Sequence, residues 1–165
     1  MVTISDTILI RAEATAIASW LRRMDKNYKA WHPKDHVYLR VENWGEGSPE
    51  SGLGAGAVLI AREHLGLRTL TLRLKIDTVA SDRMTWSALG FLGVVGRLRG
   101  SFTLDGQGAD TQFNATLSYG WSMPWLGPIV DWFIDIFLPT WAVQKHVVEE
   151  GVFLKSEVEA ARSHA

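Results

Sequence analysis

Residues 31–36 read WHPKDH, an indole, two imidazoles and a carboxylate within six positions. Imidazoles and carboxylates are the side chains that bind divalent metals and move protons near neutral pH. A helix would set His32 and His36 on one face, but Pro33 biases the residue before it away from helical backbone. The segment therefore reads as a turn that either merely holds two histidines or aims one of them at a site. The chain has five histidines, so the positions of His64, His146 and His164 decide between these readings. His164 is next to last and is expected to be mobile.

His146 stands in QKHVVEEG, with Glu150 four positions on. On a helix that spacing puts imidazole and carboxylate side by side. The same face carries Pro139, Ala142 and Val143 on one side and Phe153 and Leu154 on the other, so it is largely apolar and the pair is expected to point into a cavity. Glu149 is rotated away and is expected to be solvated. In AVLIAREHLG two strand phases compete. Turning Leu59, Ala61 and Leu65 inward brings Glu63 with them and leaves Arg62 and His64 outside. The opposite phase buries an unpaired arginine, which is costly, so Glu63 is expected inside. A carboxylate in an apolar cavity needs a partner, and a metal ion is one. His32, Glu63, His146 and Glu150 would make a two-histidine, two-carboxylate site of the kind that suits zinc, with water or substrate completing the shell.

The elements that must position these residues follow from hydrophobic periodicity. DTILIRAE (6–13) reads as a strand leading into a helix with Ile17, Trp20, Leu21 and Met24 at helical spacing. After the WHPKDH corner the period changes to two. Leu70, Leu72, Leu74 and Ile76 alternate with polar residues, as do Met84, Trp86 and Ala88. Leu98, Phe102 and Leu104 continue the pattern, followed by Phe113, Ala115, Leu117 and Tyr119. Glycine-rich punctuation such as WGEGSPESGLGAG and DGQGAD separates the runs. From Gly127 onward the chain reads as helix, with Pro128 suited to its first turn and Pro139 expected to kink or break it. Ile129, Trp132, Phe133, Ile136 and Phe137 form a broad apolar face there. Asp131, Asp135, Pro124, Pro128 and the short length argue against a membrane span. An acidic rather than basic polar face lowers the case for lying on a membrane.

With 165 residues, residues 1–165 are expected to form one domain around one core or cavity. A net charge of −1 gives no reason to expect a nucleic-acid partner. There are no cysteines, which excludes disulfides and thiolate metal sites. The first residues lack a secretory pattern, so a cytoplasmic location is the expectation. The oligomeric state is open between a monomer and a homodimer. Eight tryptophans are many for this length, and aromatic side chains serve either as core or as walls for flat ligands.

The order of elements is strand, helices, about six antiparallel strands and a long terminal helix. It is an α+β pattern that resembles the helix-grip fold of the START and Bet v 1 superfamily, in which a curved sheet wraps the helix. YKAWHPKDHV, the glutamate of REHLG and HVVEEG together resemble the 2,4-diacetylphloroglucinol hydrolase family over most of the chain. That resemblance implies a zinc ion held through His32, Glu63, His146 and Glu150. It also implies hydrolysis of the carbon–carbon bond joining an acyl group to a phenolic ring. The sequence departs from the family's pattern at its start, where those hydrolases carry a further segment. Zinc would polarise the acyl carbonyl and acidify a bound water, and the departing ring carbon would need a proton. His36 or Asp35 could supply it, and Glu150 would take part in turnover. Asp35 could instead orient a ligating histidine or simply serve the turn, and His36 could simply begin a strand. Trp31, Trp86 and Trp141 are the candidate walls for a small aromatic or polyketide-like substrate. Two other functions suit the same cavity: a carrier of apolar small molecules, and a metal-free polyketide cyclase or aromatase.

Overall fold

The computed structural model describes residues 1–165 except 66, 67, 122–124, 126, 138, 164 and 165. His164 and Pro124 thus lie outside the described residues, as do the side chains of Phe133 and Phe137. In chain order the elements are β1 (Val2–Ile10), α1 (Ala14–Arg22), α2 (Met24–Trp31), β2 (His36–Asn43), β3 (Val58–Leu65) and β4 (Arg68–Val79). They continue with β5 (Arg83–Ala88), α3 (Phe91–Val94), β6 (Arg99–Gln107), β7 (Asp110–Tyr119), α4 (Gly127–Phe137) and α5 (Thr140–Ser163). The strands form one seven-stranded antiparallel sheet in the order β1-β7-β6-β5-β4-β3-β2. Helix α5 lies across β1 and β7 and against α2. This is the α+β arrangement of a sheet closed on its terminal helix.

The period-two runs supply the core. Leu72, Leu74 and Ile76 of β4, Met84 and Ala88 of β5, Phe102 and Leu104 of β6, and Phe113, Ala115 and Tyr119 of β7 are buried. Ala142, Val143, Val147, Leu154 and Val158 meet them from α5. Such full burial of a leucine like Leu154 contributes roughly 1.5–3 kcal/mol. Gly100 of β6 pairs directly with Trp86 of β5. A Cβ at Gly100 would collide with the indole, so this glycine lets the ring lie flat across the neighbouring strand.

Three boundaries differ from the sequence expectation. The first strand is Val2–Ile10 rather than 6–13, because the chain leaves the sheet after Ile10 and Glu13 caps α1 with extended backbone. The helical stretch before WHPKDH is two helices, broken at Arg23, where φ is −98° and ψ is 24°. The terminal helix is likewise two. Pro139 leaves its carbonyl to Ala142 and Val143, while Asp135 accepts both the main-chain N–H and the hydroxyl of Thr140, each at 2.8 Å, at the start of α5. Among the described residues no helix is long and apolar enough to cross a membrane.

Candidate functional site

WHPKDH is the corner between α2 and β2. His32 ends α2 with φ −143° and ψ 79°, the extended backbone that Pro33 imposes on the residue before it. The His32 carbonyl then accepts the N–H groups of Asp35 at 3.1 Å and His36 at 2.8 Å, closing a tight turn. His36 opens β2 opposite Glu63 of β3, so sheet register itself sets an imidazole beside a carboxylate. Glu63 lies on the inward phase with buried Leu59, Ala61 and Leu65, whereas His64 is exposed and bonded to Thr69 at 2.8 Å. From the other side α5 presents His146 and Glu150, one turn apart.

Four side chains converge. His36 Nε2 is 3.3 Å from Glu150 Oε1, and His146 Nε2 is 3.6 Å from the same oxygen and 3.9 Å from Glu63 Oε2. His36 Nδ1 lies 2.8 Å from the Tyr28 carbonyl, which accepts its hydrogen, and the ring's Nε2 faces the carboxylates. His146 Nδ1 faces Asp35 Oδ2 at 3.4 Å, which turns its Nε2 toward Glu63 and Glu150 in the same way. His36 Nε2 is buried and has no hydrogen-bond partner. A buried, unpartnered nitrogen among carboxylates is costly unless something sits between them. Ligand atoms on a tetrahedral zinc with bonds near 2.0–2.1 Å stand roughly 3.3 Å apart, and the distances here fit that spacing with slight contraction. The residues present therefore fit a zinc ion.

The charges are arranged to match. Burial alone would pull His36 down, yet the Glu150 and Glu63 carboxylates hold it above the usual imidazole value. Burial would raise Glu150, but the imidazoles of His146, His36 and His32 outweigh it and keep its carboxyl below the usual range. For His32, burial and the neighbouring His146 lower the imidazole despite Asp35. Tyr28 is pushed far above the usual phenol value by burial and by Glu63, to which it donates its hydroxyl hydrogen.

His36, Glu63 and His146 thus make one group of three, and Glu150 stands beside it, with its Oε1 near the Nε2 atoms of both histidines. His32 stands behind His146, with ring centroids 4.8 Å apart. Its Nε2 lies 3.4 Å from Glu149 Oε2 and 3.6 Å from Asp35 Oδ2, and its Nδ1 accepts the Asp35 N–H at 3.2 Å. His32, Asp35 and His146 make a second group of three that shares His146 with the first. Glu149 is not simply solvated as expected. It is half-buried, and its Oε2 is one of the unpartnered atoms.

Tyr28 escaped the sequence reading. It shares the buried face of α2 with Met24 and Trp31, and that stripe was the available signal. Its ring also stacks on His36 with centroids 3.9 Å apart. Of the candidate walls, Trp31 is buried with its indole N–H on the Glu150 carbonyl at 3.0 Å, and Trp86 is half-buried at the cavity. Trp141 is corrected. It is 62 % exposed, because five residues before His146 on a helix lies well round from the inward face.

The cavity holds about 80 Å³ and is bounded by Tyr28, Trp31, Trp86, Phe102, Glu63, His146 and Glu150 among mostly aliphatic side chains. Pockets for drug-sized ligands run to roughly 300–1,000 Å³, so an aromatic substrate must displace lining side chains to be admitted. The polar cluster lies at one side of an otherwise apolar space, the layout that orients a small molecule by few polar contacts.

No protein-family model matches the chain, and no curated protein matches it in sequence. Solved structures do match. A START superfamily protein from Mycobacterium smegmatis aligns with a TM-score of 0.68 and 13% identity, over 96% of this chain and 98% of that one. The fold is a START/Bet v 1-like helix grip. Norcoclaurine synthase from Thalictrum flavum aligns at 0.69 and 14% identity, over 98% and 96% of the two chains. The Zhui aromatase/cyclase from Streptomyces sp. R1128 aligns at 0.67 and 15% identity, over 96% and 93%. At such identities the likeness is one of fold. Two of these helix-grip proteins are enzymes by name, and the resemblance to diacetylphloroglucinol hydrolases rests on the sequence motifs alone.

Proposed function

We propose that this helix-grip protein is a zinc-dependent hydrolase that cleaves a carbon–carbon bond of an acylated phenol or related diketone-like small molecule. The observation that carries the reading is the unpartnered, buried His36 Nε2 facing Glu150, with Glu63 and His146 beside them. The ligand set that follows is His36, Glu63, His146 and Glu150, with His36 taking the place that the family resemblance gives to His32. Zinc bound there would supply a Lewis acid and lower the pKa of water at the cavity wall. The chain's own groups do the rest. Tyr28 fixes Glu63 through its hydroxyl and His36 through its carbonyl. Asp35 orients His146, and His32 holds Asp35 and Glu149 in place behind it. Trp31 and Trp86 offer flat surfaces to a ring, and the apolar walls exclude bulk water from the bond being broken.

A second reading has its own support. His36 held above and Glu150 held below their usual values make a buried acid and base in the absence of metal. Such a pair could run enolisation and dehydration of a polyketide, and the likeness in fold to an aromatase/cyclase favours it. A carrier would need the cavity without either chemistry.

Incubating zinc-loaded protein with acylphloroglucinols and simpler β-diketones, and following acid release by chromatography, tests the proposal. Release of a short acid by the wild type and its loss in Glu150→Gln is the expected result. Binding without cleavage across the panel would favour the carrier, and cyclised product in metal-free protein would favour the cyclase.

A further inference from the structure

Three buried atoms without hydrogen-bond partners gather where the WHPKDH corner meets α5: His36 Nε2, His32 Nε2 and Glu149 Oε2. The first faces Glu150 in the proposed zinc site. The other two face each other behind His146, 3.4 Å apart. His32 is fully buried, and its Nε2 has a second carboxylate oxygen, Asp35 Oδ2, at 3.6 Å. Neither approach makes a hydrogen bond. An imidazole nitrogen buried in this way beside two carboxylates is costly unless something joins them.

The chain brings the three residues together by design of the corner. His32 holds the extended backbone before Pro33, Asp35 follows in the same turn, and Glu149 comes from α5. Neighbouring residues on a helix lie about 100° apart, so α5 turns Glu150 to the cavity and Glu149 toward the corner. Glu149 Oε1 leans to Lys145 at 3.7 Å, which leaves Oε2 for His32. The side chains of Asp35 and Glu149 are 18% and 34% exposed, so an ion can reach them from solvent without crossing the apolar cavity.

We infer that His32, Asp35 and Glu149 form a second zinc site, separate from the one proposed on His36, Glu63, His146 and Glu150. Ligand atoms on tetrahedral zinc stand roughly 3.3 Å apart, close to the 3.4 and 3.6 Å from His32 Nε2 to its two carboxylates. One imidazole and two carboxylates are a ligand set that suits zinc, and water from the exposed side completes the shell. His146 is near enough to His32 and Asp35 to hold an ion with them. Its Nε2 serves the first group, however, and its Nδ1 faces Asp35, so Glu149 takes the third place. Zinc on His32 Nε2 requires the ring hydrogen on Nδ1. The Asp35 N–H, which bonds that Nδ1 at 3.2 Å, then keeps its other acceptor, the His32 carbonyl at 3.1 Å. The ion ties the corner to α5 from outside the cavity, a role beyond the proposed hydrolysis and independent of it.

Zinc titration of the full chain, read by calorimetry and by elemental analysis after dialysis, tests this. The wild type is expected to reach about two zinc ions per chain. The second is expected to bind roughly tenfold or more weakly, because His32 must first move its ring hydrogen. Glu149→Gln is expected to lose the weaker equivalent and keep the tighter one, with unchanged far-ultraviolet circular dichroism. His36→Ala is expected to do the reverse, so failure of the proposed hydrolase site and failure of this one are told apart. His32→Gln should match Glu149→Gln, and if it fails to fold the latter decides alone. A single equivalent that Glu149→Gln removes and His36→Ala spares would support this site without the first. Zinc binding that Glu149→Gln leaves at the wild-type stoichiometry overturns the proposal. A single equivalent that both variants remove also overturns it, because Glu149 would then belong to the first site.

Discussion

Tyr28 orients two other residues at once, donating its hydroxyl hydrogen to Glu63 while its carbonyl takes the Nδ1 hydrogen of His36. Removing the hydroxyl leaves a half-buried carboxylate short of a donor. Tyr28→Phe is therefore expected to cost the metal-free protein about 1–3 kcal/mol, read from denaturant melts. Loss of an outer partner is also expected to weaken zinc binding roughly 10- to 100-fold, measured by competition with a chromophoric chelator. Unchanged affinity would mean that Glu63 is not held for metal. The protonation of His36 gives a second expectation. Its imidazole sits above the usual value, so in metal-free protein it keeps its proton further up the pH scale than a free histidine. Zinc must displace that proton, whereas Glu150, held below the usual carboxyl range, is already ionised. Zinc affinity should rise with pH until metal-free His36 has lost its proton and then level off. A flat profile across the imidazole range would remove His36 from the ligand set. His64→Ala should leave zinc binding unchanged, since His64 is exposed and bonded to Thr69.

Elements decide which of these residues can meet, and much of that was legible in the sequence. Alternation in β4 to β7 identified the inward apolar residues, because alternate side chains of a half-buried strand face the core and apolar ones are buried there at least cost. The phase of β3 was readable from the cost of burying Arg62, and Glu63 lies inward accordingly. The i, i+4 spacing on α5 likewise set His146 beside Glu150. The proposed preference for His36 over His32 as a ligand has no signal in the sequence. It depends on the depth of the turn that Pro33 begins and on the β2–β3 register, which pairs His36 with Glu63. Tyr28 reads as ordinary core from its place on the buried face of α2, and Trp141 lies off the inward face of α5 that carries His146. The short helix α3 carries too few residues for a period to show. Gly100 gives the prediction at this scale. Its missing Cβ leaves room for the Trp86 indole that walls the cavity. Gly100→Ala should push the ring aside, costing about 1–3 kcal/mol and weakening the binding of flat ligands more than that of aliphatic ones. Equal loss for both classes would deny Trp86 its role as a wall.

At the scale of the molecule, one sheet and one helix both build the core and position the chemistry. Leu154 is fully buried two turns along α5 from His146. Leu154→Ala is expected to destabilise the protein by about 2–5 kcal/mol. In the remaining folded fraction, zinc stoichiometry should be preserved, because α5 is anchored at many other points. Loss of metal without loss of stability would invert that account. The helix-grip scaffold is shared by proteins of different activity, so the scaffold alone does not choose among hydrolase, cyclase and carrier. The metal does. Elemental analysis of protein purified without a histidine tag tests the central claim most directly. The account predicts about one zinc per chain, lost in His36→Ala and in His146→Ala. Wild-type protein that contains no zinc and cannot be loaded with it would contradict the account.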